Sequence, residues 1–311
     1  MRLSQIATSG RAVPEASDAD AHARGLALTV CGVLLMTPDA LFIRLINADT
    51  WSLLVWRSLS IAAVFLLLMV IVHGRRAALQ FAQLGLAGLI AAIGLAVCLF
   101  GFVSALSHTT VANVLVITAV TPLFAALMGW LGYRERPPLR TWIAIAFGLA
   151  GIALAVESGL NAGDAYGVAI SLVAALGLAL NLTILRHHRH VNYLAVGVLS
   201  GLITGAIALF YGDPATITGQ SLVLTLVLCL GILPTATALF LLGPRYLLSA
   251  EVGLVMLLET VLGPFWVWLV LDEVPSRQTM IGGAVVITTL AFHSYASLSA
   301  ARRRPVQAPT N

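Results

Sequence analysis

Four ionisable side chains stand inside apolar stretches of this sequence, where a charge costs free energy to keep. Glu259 lies deep in Ala250–Glu273, AEVGLVMLLETVLGPFWVWLVLDE, with Glu251 two turns earlier; Asp39 lies in Thr37-Pro38-Asp39-Ala40 and Arg57 in Trp56-Arg57. A charge held in hydrocarbon costs a few kcal/mol, so such a group faces protein or a water-filled cavity, and it marks an ion or substrate path by default. Glu259 is the foremost candidate for a cavity carboxylate, placed to exchange a proton or hold a cargo group. Glu251 is nearer the end of its stretch, where snorkelling or a bond to Arg245 explains it. The two carboxylates are about 12 Å apart along a helix, too far to share a proton.

Asp39 is about 10 Å and Arg57 about 9 Å from the same edge of the apolar layer. Equal depths predict an Asp39–Arg57 ion pair. Its role stays open between a clamp on two helices and a part of the working site. Arg44 is about 140° round the helix from Asp39, so it is expected to snorkel to the interface instead. Asn113 and Asn181 can bond substrate or a neighbouring helix, with the second use the commoner one. Trp56 is deep enough to line a pocket, whereas Trp51, Trp142, Trp266 and Trp268 read as an interfacial belt.

These residues must be carried by membrane helices. The chain has 311 residues, is 59% hydrophobic and only 10% charged, against about 25% charged in soluble domains. Ten apolar spans follow: roughly 25–46, 51–72, 79–106, 111–133, 139–156, 165–185, 191–211, 221–242, 246–271 and 279–299. Short links make successive helices antiparallel. Pro38, Pro122, Pro234 and Pro264 fall within spans, where each removes a backbone donor and kinks its helix or frees carbonyls beside a cavity. Small residues such as Gly148, Gly151, Gly282 and Gly283 allow close helix packing. Cys31, Cys98 and Cys229 all lie in apolar runs and form no disulfide framework or metal spacing.

All seventeen basic residues are arginine. With the amino terminus in the cytoplasm, every arginine except Arg44, Arg57 and Arg277 falls at the inner face, as the positive-inside rule asks. Both termini are then cytoplasmic. The basic balance is thereby explained by topology, and no nucleic-acid partner is expected. Residues 1–23 read as a disordered cytoplasmic tail and 300–311 as a basic cytoplasmic tail.

The chain also repeats itself. Shifted by 138 positions, Ala112, Trp130, Leu131 and Glu135 fall on Ala250, Trp268, Leu269 and Glu273; shifted by 142, Gly25, Ala27 and Arg44 fall on Gly167, Ala169 and Arg186. Asp39 then falls on neutral Asn181, and at a shift of 140 Arg57 falls on Gly197, so both charges are missing from the second copy together. The expected fold is an all-α integral membrane protein, ten transmembrane helices as two inverted five-helix repeats, 24–157 and 158–299. An odd number of spans per copy inverts the second, and inverted repeats place a substrate site where the copies meet at the midplane.

Enzyme chemistry finds no support. There is no nucleophile elbow, no HExxH, no dinucleotide fingerprint and no lysine for a Walker loop. His187-His188-Arg189-His190 resembles a metal tract but sits in a basic loop, so neither metal nor cofactor is expected. His293 reads as a packed helix residue, with no acid at helical spacing around it.

Trp56-Arg57, the segments Trp130-Leu131-Gly132-Tyr133-Arg134-Glu135 and Trp268-Leu269-Val270-Leu271-Asp272-Glu273, and the step Thr121-Pro122 resemble the drug/metabolite transporter superfamily, EamA type. Glu259-Thr260 stands where that family often has Glu-Pro, which removes the bend of the ninth span or shifts it to Pro264. The resemblance covers about residues 25–299. It implies a secondary carrier in the bacterial inner membrane, often an exporter of amino acids or other small metabolites, driven by exchange or protons. It also implies a cavity lined by the first, third, fourth, sixth, eighth and ninth spans. An uncoupled facilitator or channel for small polar solutes is the alternative. The partners are the lipid bilayer and a small-molecule substrate, and a monomer and a homodimer fit equally.

Overall fold

A computed structural model describes residues 18–156, 162–188, 190–242 and 249–302. Among the described residues the chain is all-helical: α1 (Asp18–Met36), α2 (Asp39–Ile46), α3 (Thr50–His73), α4 (Ala77–Ala82), α5 (Gly85–Leu106), α6 (Val111–Ala119), α7 (Thr121–Tyr133), α8 (Leu139–Val156), α9 (Ala162–His187), α10 (Tyr193–Tyr211), α11 (Gly219–Leu226), α12 (Leu233–Leu242), α13 (Ser249–Leu271) and α14 (Arg277–Arg302). Nine helical stretches among the described residues are long and apolar enough to cross a membrane, and Leu139–Ala155 is a shorter apolar tenth. The ten expected spans are thus present as a multi-pass bundle.

Span ends differ from expectation where the backbone is special. The first helix starts at Asp18, inside the segment expected to be a tail; residues 1–17, the end of the carboxy-terminal tail and Arg245 lie outside the described residues. The third span starts at Gly85 and not at Leu79, because α3 continues through the turn Gly74–Arg76 into α4. Gly74 and Gly85 have φ of +54° and +57°, a conformation glycine adopts without steric cost. The first span is broken at Thr37-Pro38, since proline has no N–H to continue the helix and disfavours it just before. The fourth is stepped at Val120, with Pro122 in the first turn of α7. The eighth joins α11 to α12 through a π-helical segment, Val227–Ile232, just before Pro234. Pro264, by contrast, lies within the continuous α13.

Polar side chains close the helix starts. Asp49 accepts from the N–H groups of Trp51 and Ser52 at 3.1 and 3.0 Å, and Asn192 from that of Leu194 at 2.9 Å. Such caps satisfy donors that hydrocarbon cannot.

Call the end of the bundle holding the turns around Asn47, His108 and Asp213 the upper end, and that holding Arg134 and His188 the lower end. α5 packs along α9, α3 along α10, α8 along α14 and α1 along α12. Exchanging the two sets of five spans turns α5–α9 into α12–α1 and leaves α3–α10 and α8–α14 as they are. Glycines permit the closest crossings. A Cβ on Gly94 would stand 2.7 Å from the Gly177 carbonyl oxygen, and one on Gly201 2.5 Å from that of Ser58. The upper half is sealed by one apolar cluster in which Ile46, Leu53, Leu54, Leu106, Val114 and Leu228 are almost wholly buried.

Gly94→Leu should therefore force α5 off the backbone of α9 and cost about 1–3 kcal/mol. Gly132→Leu, at a position with open space around it, should be nearly silent. Thermal unfolding of the two variants in detergent, monitored by size-exclusion profile, checks the contrast.

Candidate functional site

The break at Pro38 sets the site. It places Asp39 in the first turn of α2, where a carboxylate is favoured by the helix dipole. Arg57 on α3 lies opposite. Its Nη1 donates to Asp39 Oδ1 at 2.5 Å and its Nη2 to Oδ2 at 2.9 Å. Both residues are 6% exposed. A two-pronged charge-assisted pair satisfies both oxygens and suits the planar guanidinium. Equal depth in the sequence had pointed to this bond, and the structure makes it.

Arg44 is not left to snorkel. Its Nη2 donates to the Thr109 carbonyl at 2.8 Å and lies 3.4 Å from Glu273 Oε2. Glu273 Oε1 also accepts from the Val111 N–H at 3.0 Å, at the start of α6. Helical periodicity places Arg44 on a face of its own helix but says nothing of the partner that another helix brings.

Glu259 has a different setting. It is half-buried on α13 and has no hydrogen-bond or ion-pair partner among the described residues. Its charge is close enough to act on Asp39 and on the Cys98 thiol of α5, so it faces the interior they share. Cys98 in turn lies within reach of Tyr193, at the lower start of α10. Asp39 and Glu259 therefore belong to one polar interior, in which the first carboxylate is matched and the second is open. Nothing is described of the Glu251 side chain.

The remaining candidates are tied to helices. Asn113 donates to Thr109 Oγ1 at 3.2 Å and accepts from Thr279 Oγ1 at 2.8 Å, which bonds α6 to α14. Asn181 donates to the Ala91 carbonyl at 3.0 Å beside the Gly94–Gly177 contact, and its Oδ1 is buried without a partner among the described residues. Trp56 donates from its indole N–H to the Pro214 carbonyl at 3.2 Å, at the upper end. Trp266 does more than sit at an interface, since its indole N–H donates to Thr37 Oγ1 at 3.0 Å and ties α13 to the break before Asp39. His187 bonds Glu135 at 3.0 Å and stacks on Tyr133, while His188 reaches the Tyr133 hydroxyl at 3.2 Å. Arg189 lies outside the described residues.

Below Arg57, α3 and α12 leave a small gap of about 10 Å³, lined by Ser60, Val64, Phe65, Cys229, Pro234 and Thr237, among others. Cys229 lies in the π-helical segment, close to Ser60 and within range of the charges of both Asp39 and Arg57. A π-helical turn often marks a working site. The Thr37-Pro38 break was visible in the sequence; the π-helical turn was not, because it leaves no residue-type signature beyond Pro234.

Removing either member of the buried pair strands the other charge, at a cost of about 3–5 kcal/mol. Asp39→Asn and Arg57→Gln should each lower the unfolding temperature in detergent sharply, and the double substitution should recover most of the loss. Equal losses in all three would refute the pairing.

Residues 23–156 match the family model described as the EamA-like transporter family. No curated protein matches the chain. A solved structure described only as "Crystal structure of protein" is similar in fold, with a TM-score of 0.61 and 16% identity over 91% of this chain and 100% of the other. At that identity the likeness speaks for the fold alone. The family match covers the first five spans of a bundle of membrane-length helices, so residues 23–156 are similar to the EamA-like transporter family.

Proposed function

We propose that the chain is a secondary active transporter that exports a small metabolite, an amino acid or a close relative, by alternating access in the bacterial inner membrane. Glu259 carries this reading. The interior holds a matched pair, Asp39 with Arg57, and beside it one carboxylate with no partner among the described residues. A structural charge in a membrane protein is held by its counter-charge. An open one is free to take a proton or a cargo amine in turn, and that competition couples the two. Asp39 and Arg57 then serve as the clamp that keeps α2 on α3 beside it, and Asn113, Asn181 and Trp56 hold the helices around it.

The helix pairing supports two inverted repeats, 24–157 and 158–299, because α5–α9 and α1–α12 exchange when the halves are swapped. The arginines of the described residues support a cytoplasmic lower end: Arg24, Arg75, Arg76, Arg134, Arg136, Arg140, Arg186 and Arg302 lie there. Both termini then face the cytoplasm.

The cargo is found by comparing metabolites in medium and cytoplasm with and without overexpression. Purified protein in proteoliposomes should then show saturable counterflow, stimulated by cargo on the far side; flux that neither saturates nor responds to trans cargo identifies an open channel. Glu259→Gln should flatten the pH dependence of uptake and cut the proton-driven rate at least tenfold, and an unchanged pH profile removes Glu259 as the coupling group. The double variant Asp39→Asn with Arg57→Gln should recover transport along with stability.

A further inference from the structure

Two ion pairs join the halves of the molecule at opposite ends, and they are built alike. At the upper end Arg44, in the last turn of α2, meets Glu273, which follows α13. At the lower end Arg186, in the last turn of α9, donates from Nη2 to Glu135 Oε2 at 2.5 Å, and Glu135 follows α7. Arg44 and Arg186 are repeat partners at a shift of 142 positions, and Glu135 and Glu273 at a shift of 138. Each pair therefore takes its arginine from one copy and its glutamate from the other, with the copies exchanged between the ends.

Backbone geometry is repeated as well. Each glutamate is preceded by a residue in the left-handed region, Arg134 at φ +53° and Asp272 at φ +54°. Neither is glycine, and that conformation is uncommon for other residues. Asn47 is the other non-glycine case among the described residues. The same strained cap, twice at one repeat position, turns the next carboxylate across to the other half. The Asp39–Arg57 pair has no such counterpart, since the second copy has Asn181 and Gly197 there.

The two ends differ in exposure, and each carboxylate has a second partner, His187 for Glu135 at 3.0 Å at the lower end. The upper carboxylate also receives the Val111 N–H, and the upper arginine also holds the Thr109 carbonyl, so α2, α6 and the end of α13 are tied at one point. Side-chain exposure there is 27% and 26%, against 55% and 36% for Arg186 and Glu135. Pairs this exposed are weak and screened by salt. Such bonds break and re-form readily, unlike the buried Asp39–Arg57 pair.

We propose that Arg44–Glu273 and Arg186–Glu135 are the two latches of the transport cycle, one for each face, and that opening a face breaks its pair. The proposal rests on the alternating-access reading above. Losing the upper latch favours opening at the upper face; losing the lower latch favours the lower.

The full-length protein with Cys31 and Cys229 replaced by Ala keeps Cys98 as an interior reporter, since its half-buried thiol faces Glu259. Its labelling by a membrane-impermeant maleimide is measured from each side separately, in vesicles of the two orientations. Glu273→Gln should raise the labelling rate from the upper side severalfold and lower it from the other side. Glu135→Gln should do the reverse. Arg44→Gln must behave as Glu273→Gln does, and the exchanged pair Arg44→Glu with Glu273→Arg must return the ratio to that of the parent. Changes of the same sign on both sides, or none, overturn the latches while leaving alternating access intact. A parent protein in which both sides label at once, at rates unaffected by cargo, overturns alternating access itself.

Discussion

Hydrocarbon offers no partner to a polar group, so each charge and each free backbone donor in this bundle must be answered from within the protein. Most of the architecture can be traced to that demand. Pro38 ends α1 and leaves Asp39 at the head of α2, and the carboxylate is answered by both prongs of Arg57. Thr37, at the same break, receives the Trp266 indole N–H and itself donates to the Leu34 carbonyl. Glu273 answers both the start of α6 and Arg44. Against this background Glu259 stands out because nothing among the described residues answers it.

The separate uses of charge also sort by exposure. Asp39–Arg57 is sealed in, so breaking it is costly and its value lies in permanence. The pairs at the two ends keep partial access to water, so they are cheap to open. One sequence thus holds a fixed bond and two reversible ones, made of the same two kinds of side chain, with depth deciding between them.

Much of this was legible in the sequence, and the parts that were not share a cause. Ten spans could be read because a membrane demands long charge-free runs, and the Asp39–Arg57 pair because both residues lie at one depth and vanish together from the second copy. The start of the third span was missed, since Gly85 turns the chain in a run that is apolar on both sides. Arg44 was misread, because helical angles relate it to Asp39 and not to Glu273 far along the chain. The pairing of Arg44 with Glu273 and of Arg186 with Glu135 was hidden behind two repeat offsets that differ by one helical turn. Trp266 was assigned to an interface from its distance to a span end, while its indole N–H bonds Thr37 on another helix.

The glycine crossing of α5 and α9 has a mechanical consequence. With Gly94 and Gly177 nearly backbone to backbone, the two helices have no side-chain cushion to slide on. The counterpart helices α1 and α12 also pack along one another, with Val33 of α1 wholly buried. The α5–α9 crossing is among the most closely packed glycine contacts described between the two halves. Any relative motion of the two halves would find this crossing a rigid point, and would pivot on it and not slide along it.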